Sequence, residues 1–77
     1  MENLLKLLIE PLVTDIAKVK IEKIDDNGNF RYLVSIPKED IAKVIGKEGK
    51  MIKAIKNLVK VRAVKENIFA SVEVQEI

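Results

Sequence analysis

IAKVIGKEGKMIKAI, residues 41–55, keeps a helical rhythm in Ile41, Val44, Ile45, Ile52 and Ile55, yet two glycines three residues apart interrupt it. Glycine inside a helix costs about 1 kcal/mol relative to alanine, so Gly46 and Gly49 argue against one continuous helix. Two helices joined by a short turn satisfy the same pattern. Gly46 then lets the chain leave the first helix at a φ that a side chain resists. Gly49 keeps the start of the second helix bare, so a phosphate or sugar can come close to the backbone. Amides at a helix N-terminus attract anions, and Lys47 and Lys50 add mobile positive charge on either side. Such a loop can hold a phosphodiester backbone without reading its bases. The plainer alternative is a glycine turn between two packed helices.

The charge distribution around this stretch is lopsided. Between Ile41 and Lys65 eight basic residues face a single acid, Glu48, a net of +7, while the rest of the chain carries six basic and eleven acidic residues, a net of −5. A basic segment on an acidic domain is the pattern expected of a polyanion site. A lysine-rich solvated helix face is the alternative. On a helical wheel started at Lys50, Met51, Ile52, Ile55, Leu58 and Val59 share an apolar arc. Lys53, Lys56 and Lys60 fall on a separate basic arc continuous with the loop, which predicts salt-dependent affinity through counterion release. Lys53, one turn from the loop, joins the candidate contacts, whereas Lys60 and Lys65 read as solvated.

Upstream, Leu5, Leu8, Leu12 and Ile16 mark one face of a first helix, with Pro11 kinking or dividing it near Glu10. AKVKIEKID follows as a half-buried strand with Val19 and Ile21 on one side. Asn27-Gly28 is a strong hairpin signal, because a tight primed turn needs positive φ. FRYLVSI is the second strand, with Phe30, Tyr32, Val34 and Ile36 on one face. Pro37 ends it, and Glu39 and Asp40 place negative charge at the start of the next helix, where the macrodipole favours it. After Gly46 and Gly49, a longer helix runs from about Lys50 to Glu66, with Asn67 as a left-handed stop. IFASVEV is the last strand. The order α-β-β-α-α-β predicts an α+β fold with an antiparallel hairpin and a third strand returning in parallel. The expectation is one domain over residues 1–77, a three-stranded mixed sheet with three helices on one face.

Composition narrows the chemistry. Of 77 residues, none is cysteine or histidine, which removes disulfides, thiol nucleophiles, the usual zinc sites and the commonest general base. No P-loop or metal cluster is apparent, and Asp25 and Asp26 read as hairpin residues rather than an acid/base pair. The expectation is therefore no enzyme, no cofactor and no metal. ENLLKLLIEPLV is broken by Lys6 and Glu10, so neither a signal peptide nor a membrane span is expected, and a cytoplasmic location follows. The few aromatics lack the arrangement of an RNA-recognition motif; Phe30 and Tyr32 read as packing residues.

VIGKEGKMI, residues 44–52, resembles the GxxG signature of a KH domain, and the element order is similar to the type II arrangement of bacterial KH proteins. Over essentially the whole chain the sequence resembles the KhpA family of small bacterial KH-domain proteins. That resemblance implies a loop, Gly46, Lys47, Glu48 and Gly49, that clamps about four nucleotides of single-stranded RNA, or sometimes single-stranded DNA. Ile45 would form a groove wall, with Lys50 and Lys53 beside the backbone; Ile41 and Val44 are groove or core residues, with the core the preferred assignment. Glu48 sets a carboxylate inside the loop. The resemblance further implies an RNA chaperone or post-transcriptional regulator with effects on cell division and cell shape. It also implies a homodimer, and a heterodimer with a larger KH protein of the KhpB type, also called Jag or EloR, with a helix face near Leu58 to Val64 contributing.

Two other classes fit parts of the pattern. Ala42, Gly46, Ile52 and Ile55 match the packing of a helix-turn-helix that reads duplex DNA. Against it, a second glycine at 49 is unnecessary there, and strands bracket the helix pair. A dimerisation scaffold that binds no nucleic acid is the other possibility, since small domains gain stability by association.

Overall fold

Asn27 and Gly28 both take positive φ, 53° and 86°, and close a two-residue hairpin between β1 (Lys20–Asp26) and β2 (Asn29–Ile36). Asp25 Oδ1 accepts the Gly28 N–H at 3.2 Å, so this acid shapes the turn. The computed structural model describes residues 1–77 and gives the element order α-β-β-α-α-β expected from the sequence. The helices are α1 (Glu2–Ile9), α2 (Lys38–Ile45) and α3 (Lys50–Lys65), and the last strand is β3 (Phe69–Glu76).

β2 is the central strand, antiparallel to β1 and parallel to β3, with pairing from Asn29↔Phe69 to Ile36↔Glu76. Alternation then divides the sheet into two faces. Tyr32, Val34 and Ile36 of β2 and Val72 of β3 are buried with Leu5 and Ile9 of α1, Val44 of α2, and Ile55 and Val59 of α3. The opposite face is polar apart from Leu33 and Phe69: Gln75 Nε2 donates to Ser35 Oγ at 2.8 Å, and Arg31 lies 3.9 Å from Glu73. Burial of Tyr32, with the charges of Glu2 and Glu66 adding to it, pushes its phenol above the ordinary tyrosine value. It is a core residue.

Three boundaries differ from the sequence expectation. Ile16 does not continue the first helical face. After Pro11 sits in a 3₁₀ turn (Glu10–Leu12), Asp15 accepts the Ala17 N–H at 3.0 Å and starts a second turn, Ile16–Lys18. Because Ala17 and Lys18 are held there, β1 begins at Lys20. β3 runs two residues past Val74, because Gln75 and Glu76 find partners in Ser35 and Ile36. Asn67 does stop α3: it takes φ 57°, and the N–H groups of Ile68 and Asn67 return to the carbonyls of Ala63 and Val64.

Asp40 does more than complement a helix dipole. It is 1% exposed; its Oδ2 accepts the Thr14 N–H at 3.1 Å and its Oδ1 the Thr14 hydroxyl at 2.9 Å, tying the segment between the 3₁₀ turns to α2. The Thr14 backbone bond, and then its hydroxyl and the charges of Lys43 and Lys18, hold this carboxyl below the usual carboxylate range despite its burial. A depressed folded pKa contributes stability that is present above the unfolded value, about 3.9 for aspartate, and is lost as pH falls through the folded value. Urea midpoints measured from pH 6 to pH 2 should therefore fall in the acid limb. Asp40→Asn should lower the midpoint at pH 6 and flatten that limb.

Candidate nucleic-acid interface

The segment between α2 and α3 is four residues long and bends by glycine geometry. Gly46 has φ 76° and ψ 174°, a region that only glycine occupies without strain. A Cβ there would lie 2.6 Å from Met51 Cβ and 2.9 Å from Met51 N, so the end of α2 packs directly onto the first turn of α3. Gly49 is different. It is left-handed (φ 73°, ψ 14°), and a Cβ would meet only Ile52 Cγ2 at 3.9 Å. Gly46 is thus required by packing, whereas Gly49 borders open space. Between them Glu48 also adopts a left-handed conformation, φ 57° and ψ 24°. Backbone strain of this kind concentrates at functional sites.

No side chain caps the N-terminus of α3. Lys47, Lys50 and Lys53 are exposed, and none joins any of the three ion pairs in the molecule, which are Arg31–Glu73, Lys43–Asp40 and Arg62–Glu66. Glu48 is unpaired as well, so it neutralises neither neighbouring lysine by contact. Ile45, at the end of α2, is 39% exposed beside the loop, while Val44 is fully buried and Ile41 packs half-buried against the core. The structure therefore brings Ile45, Gly46, Lys47, Glu48, Gly49 and Lys50 together on one rim, with Lys53 one turn further along α3.

α3 carries three stripes rather than the two faces read from the wheel. Ile52, Ile55, Val59 and Ala63 turn inward. Lys53, Asn57, Lys60 and Val64 run along a second line away from the loop. Met51, Ala54, Leu58 and Val61 form a third line at three- and four-residue spacing, apolar and exposed. The single apolar arc of the wheel thus splits: Ile52, Ile55 and Val59 are core, Met51 and Leu58 are surface. Beside Leu58 and Val61, Leu4 of α1 and the stems of Arg62 and Lys65 line a shallow apolar groove.

The second stripe leads into a larger groove of about 830 Å³ between α3 and the free edge of β3. Lys56, Asn57 and Lys60 stand on its helix side, and Ile68, Phe69 and Ala70 on its strand side. Lys60, read from the sequence as merely solvated, lines this groove. The sequence offered no sign of the groove, because the parallel return of β3 creates it from residues far apart in the chain. No group of acidic, cysteine or histidine side chains is arranged to hold a metal ion, and no helix is long and apolar enough to cross a membrane.

Comparison with known proteins gives a consistent result. The family model described as KhpA/KhpB, KH domain, matches residues 2–74. The RNA-binding protein KhpA of Chlamydia pneumoniae is 37% identical over 76 residues, 99% of this chain and 97% of that protein. The RNA-binding protein KhpA of Clostridium acetobutylicum is 34% identical over 74 residues, 96% of this chain and 99% of its own length. That of Listeria monocytogenes is 39% identical over 59 residues, covering 77% and 78%.

Proposed function

The chain belongs to the KhpA/KhpB family of KH-domain proteins, and on that premise we propose that it binds single-stranded RNA through the loop Gly46–Gly49. One observation carries the reading: an uncapped helix start with three unpaired lysines, behind a glycine whose missing Cβ leaves the backbone approachable. In this reading the amides at the start of α3 and the ammonium groups of Lys47 and Lys50 hold successive phosphates, and Lys53 extends the track. Ile45 offers an apolar wall to a base. Bases are not specified by such a clamp, which suits a cytoplasmic RNA chaperone or post-transcriptional regulator that meets many sequences.

The family resemblance adds a partner to this reading. The exposed line Met51, Ala54, Leu58 and Val61 has the spacing of a helix-packing seam. It lies on a different third of α3 from Lys53 and Lys60, so a second KH protein, a copy of this chain or a KhpB-type partner, can dock while RNA is bound. A single small clamp binds weakly, and pairing would supply avidity.

Fluorescence anisotropy with labelled single-stranded RNA and duplex DNA of equal length tests the binding, and light scattering on Leu58→Asp tests the seam. RNA should be preferred, and the variant should shift to the monomer mass while keeping its circular dichroism. Preferential duplex binding would favour the helix-turn-helix reading. Absence of any nucleic-acid binding would leave a dimerisation scaffold.

A further inference from the structure

Of the three aromatic rings, two are already engaged. Tyr32 is in the core, and Phe30 is half-buried with Lys23 Nζ 4.3 Å from its ring centroid. Phe69 is different: it opens β3, is 76% exposed, shares the sheet face of Ser71 and Glu73 away from the helices, and borders the groove between α3 and the β3 edge from that side. An exposed ring of this size on a free strand edge is an aggregation liability unless something covers it. The surroundings indicate what that is. Lys56 and Lys60 face the groove from α3, and Asn57 and Asn67 bring amides that both donate and accept, as base edges require. The basic line from the loop through Lys53 and Lys60 ends here, about 15 Å along α3 from Lys50 at 1.5 Å per residue.

We propose that Phe69 is a stacking platform for a base of the strand whose backbone the loop holds, with Lys56 and Lys60 on the adjoining phosphates. This inference rests on the single-stranded RNA reading and gives it a base-dependent element that the loop lacks. A ring face accepts any base, so the site favours strongly stacking purines over pyrimidines without reading a sequence. A second copy of this chain on the same edge is the competing occupant; it would have to bring its own lysines against Lys56 and Lys60, and like charge opposes that.

The chain contains no tryptophan, so Phe69→Trp provides a single reporter at the site. The experiment titrates native protein, Phe69→Ala and Phe69→Trp with an oligoadenylate about eight nucleotides long and with an abasic strand of the same length, following the strand by anisotropy. Stacking predicts that Phe69→Ala weakens oligoadenylate binding about tenfold and leaves the abasic strand unchanged. It also predicts that oligoadenylate, not the abasic strand, quenches the indole fluorescence of the Phe69→Trp variant. Binding of oligoadenylate with native affinity by Phe69→Ala, or without quenching of that indole, overturns the inference and leaves the loop reading intact. A change in mass by light scattering with no change in affinity also overturns it, in favour of a protein contact. If native protein binds neither strand, the RNA reading fails and this inference with it.

Discussion

Gly46→Ala is expected to cost about 3 kcal/mol or more and Gly49→Ala only about 1 kcal/mol, although the two glycines are three residues apart in one motif. Both have positive φ, so both pay for a side chain. Only Gly46 also has a neighbour in the way. Its Cβ would press on Met51 Cβ and on Met51 N, and backbone cannot swing aside as a side-chain tip can. Relief requires α2 and α3 to separate, which disturbs Val44 and Ile55 in the core. For a domain of this size the difference corresponds to a Tm lowered by about 15 °C or more for Gly46→Ala and about 5 °C for Gly49→Ala. The functional expectation is the reverse contrast. Gly49→Ala should stay folded yet lose RNA affinity, because its methyl occupies the open space where a backbone approaches. Thermal melts and anisotropy on the two variants check both halves. Equal melting temperatures would show that packing against Met51 is not what Gly46 provides.

The second large effect is electrostatic. If Lys47, Lys50 and Lys53 each neutralise one phosphate, the slope of log affinity against log salt for a single strand is about −2, and binding weakens about 15-fold between roughly 50 and 200 mM salt. Replacing Lys47 and Glu48 together by aspartate removes one of these cations and sets a new carboxylate in the loop. Affinity at low salt should fall at least about tenfold, and the slope should become shallower. The fold should survive, because Glu48 already holds a left-handed conformation that aspartate tolerates better than glutamate. Neither Lys47 nor Glu48 is buried or ion-paired. An unchanged slope would place the phosphates elsewhere on the molecule.

The features that were legible in the sequence are those fixed by local chemistry. Pro37 fixes its own φ, while Asn27, Gly28, Gly46 and Asn67 tolerate the positive φ that most side chains resist, and the elements begin and end at these residues. The loop residues were legible for the same reason, since two glycines and their lysines are neighbours in the chain. What was hidden depends on distant partners. Nothing near Thr14 announces that Asp40 will bind it, and Ile16 fits a helical face until Asp15 caps a separate turn. The apolar arc of α3 could not be divided from the wheel, because only the packing of the sheet and α1 decides that Ile55 is inside and Leu58 outside. Phe69 is likewise an ordinary strand residue until the parallel pairing with β2 places it on a free edge, on the sheet face away from the helices and at the rim of the groove beside α3.

Whether the loop itself holds RNA is best decided by following backbone amide resonances of the native chain during titration with a short single-stranded RNA. The largest shifts are expected at Gly46 to Lys53, at the uncapped start of α3, and these should vanish in the Lys47→Asp, Glu48→Asp variant. RNA binding that leaves those amides unmoved and shifts the polar sheet face or the Leu58–Val61 seam instead would contradict the loop reading.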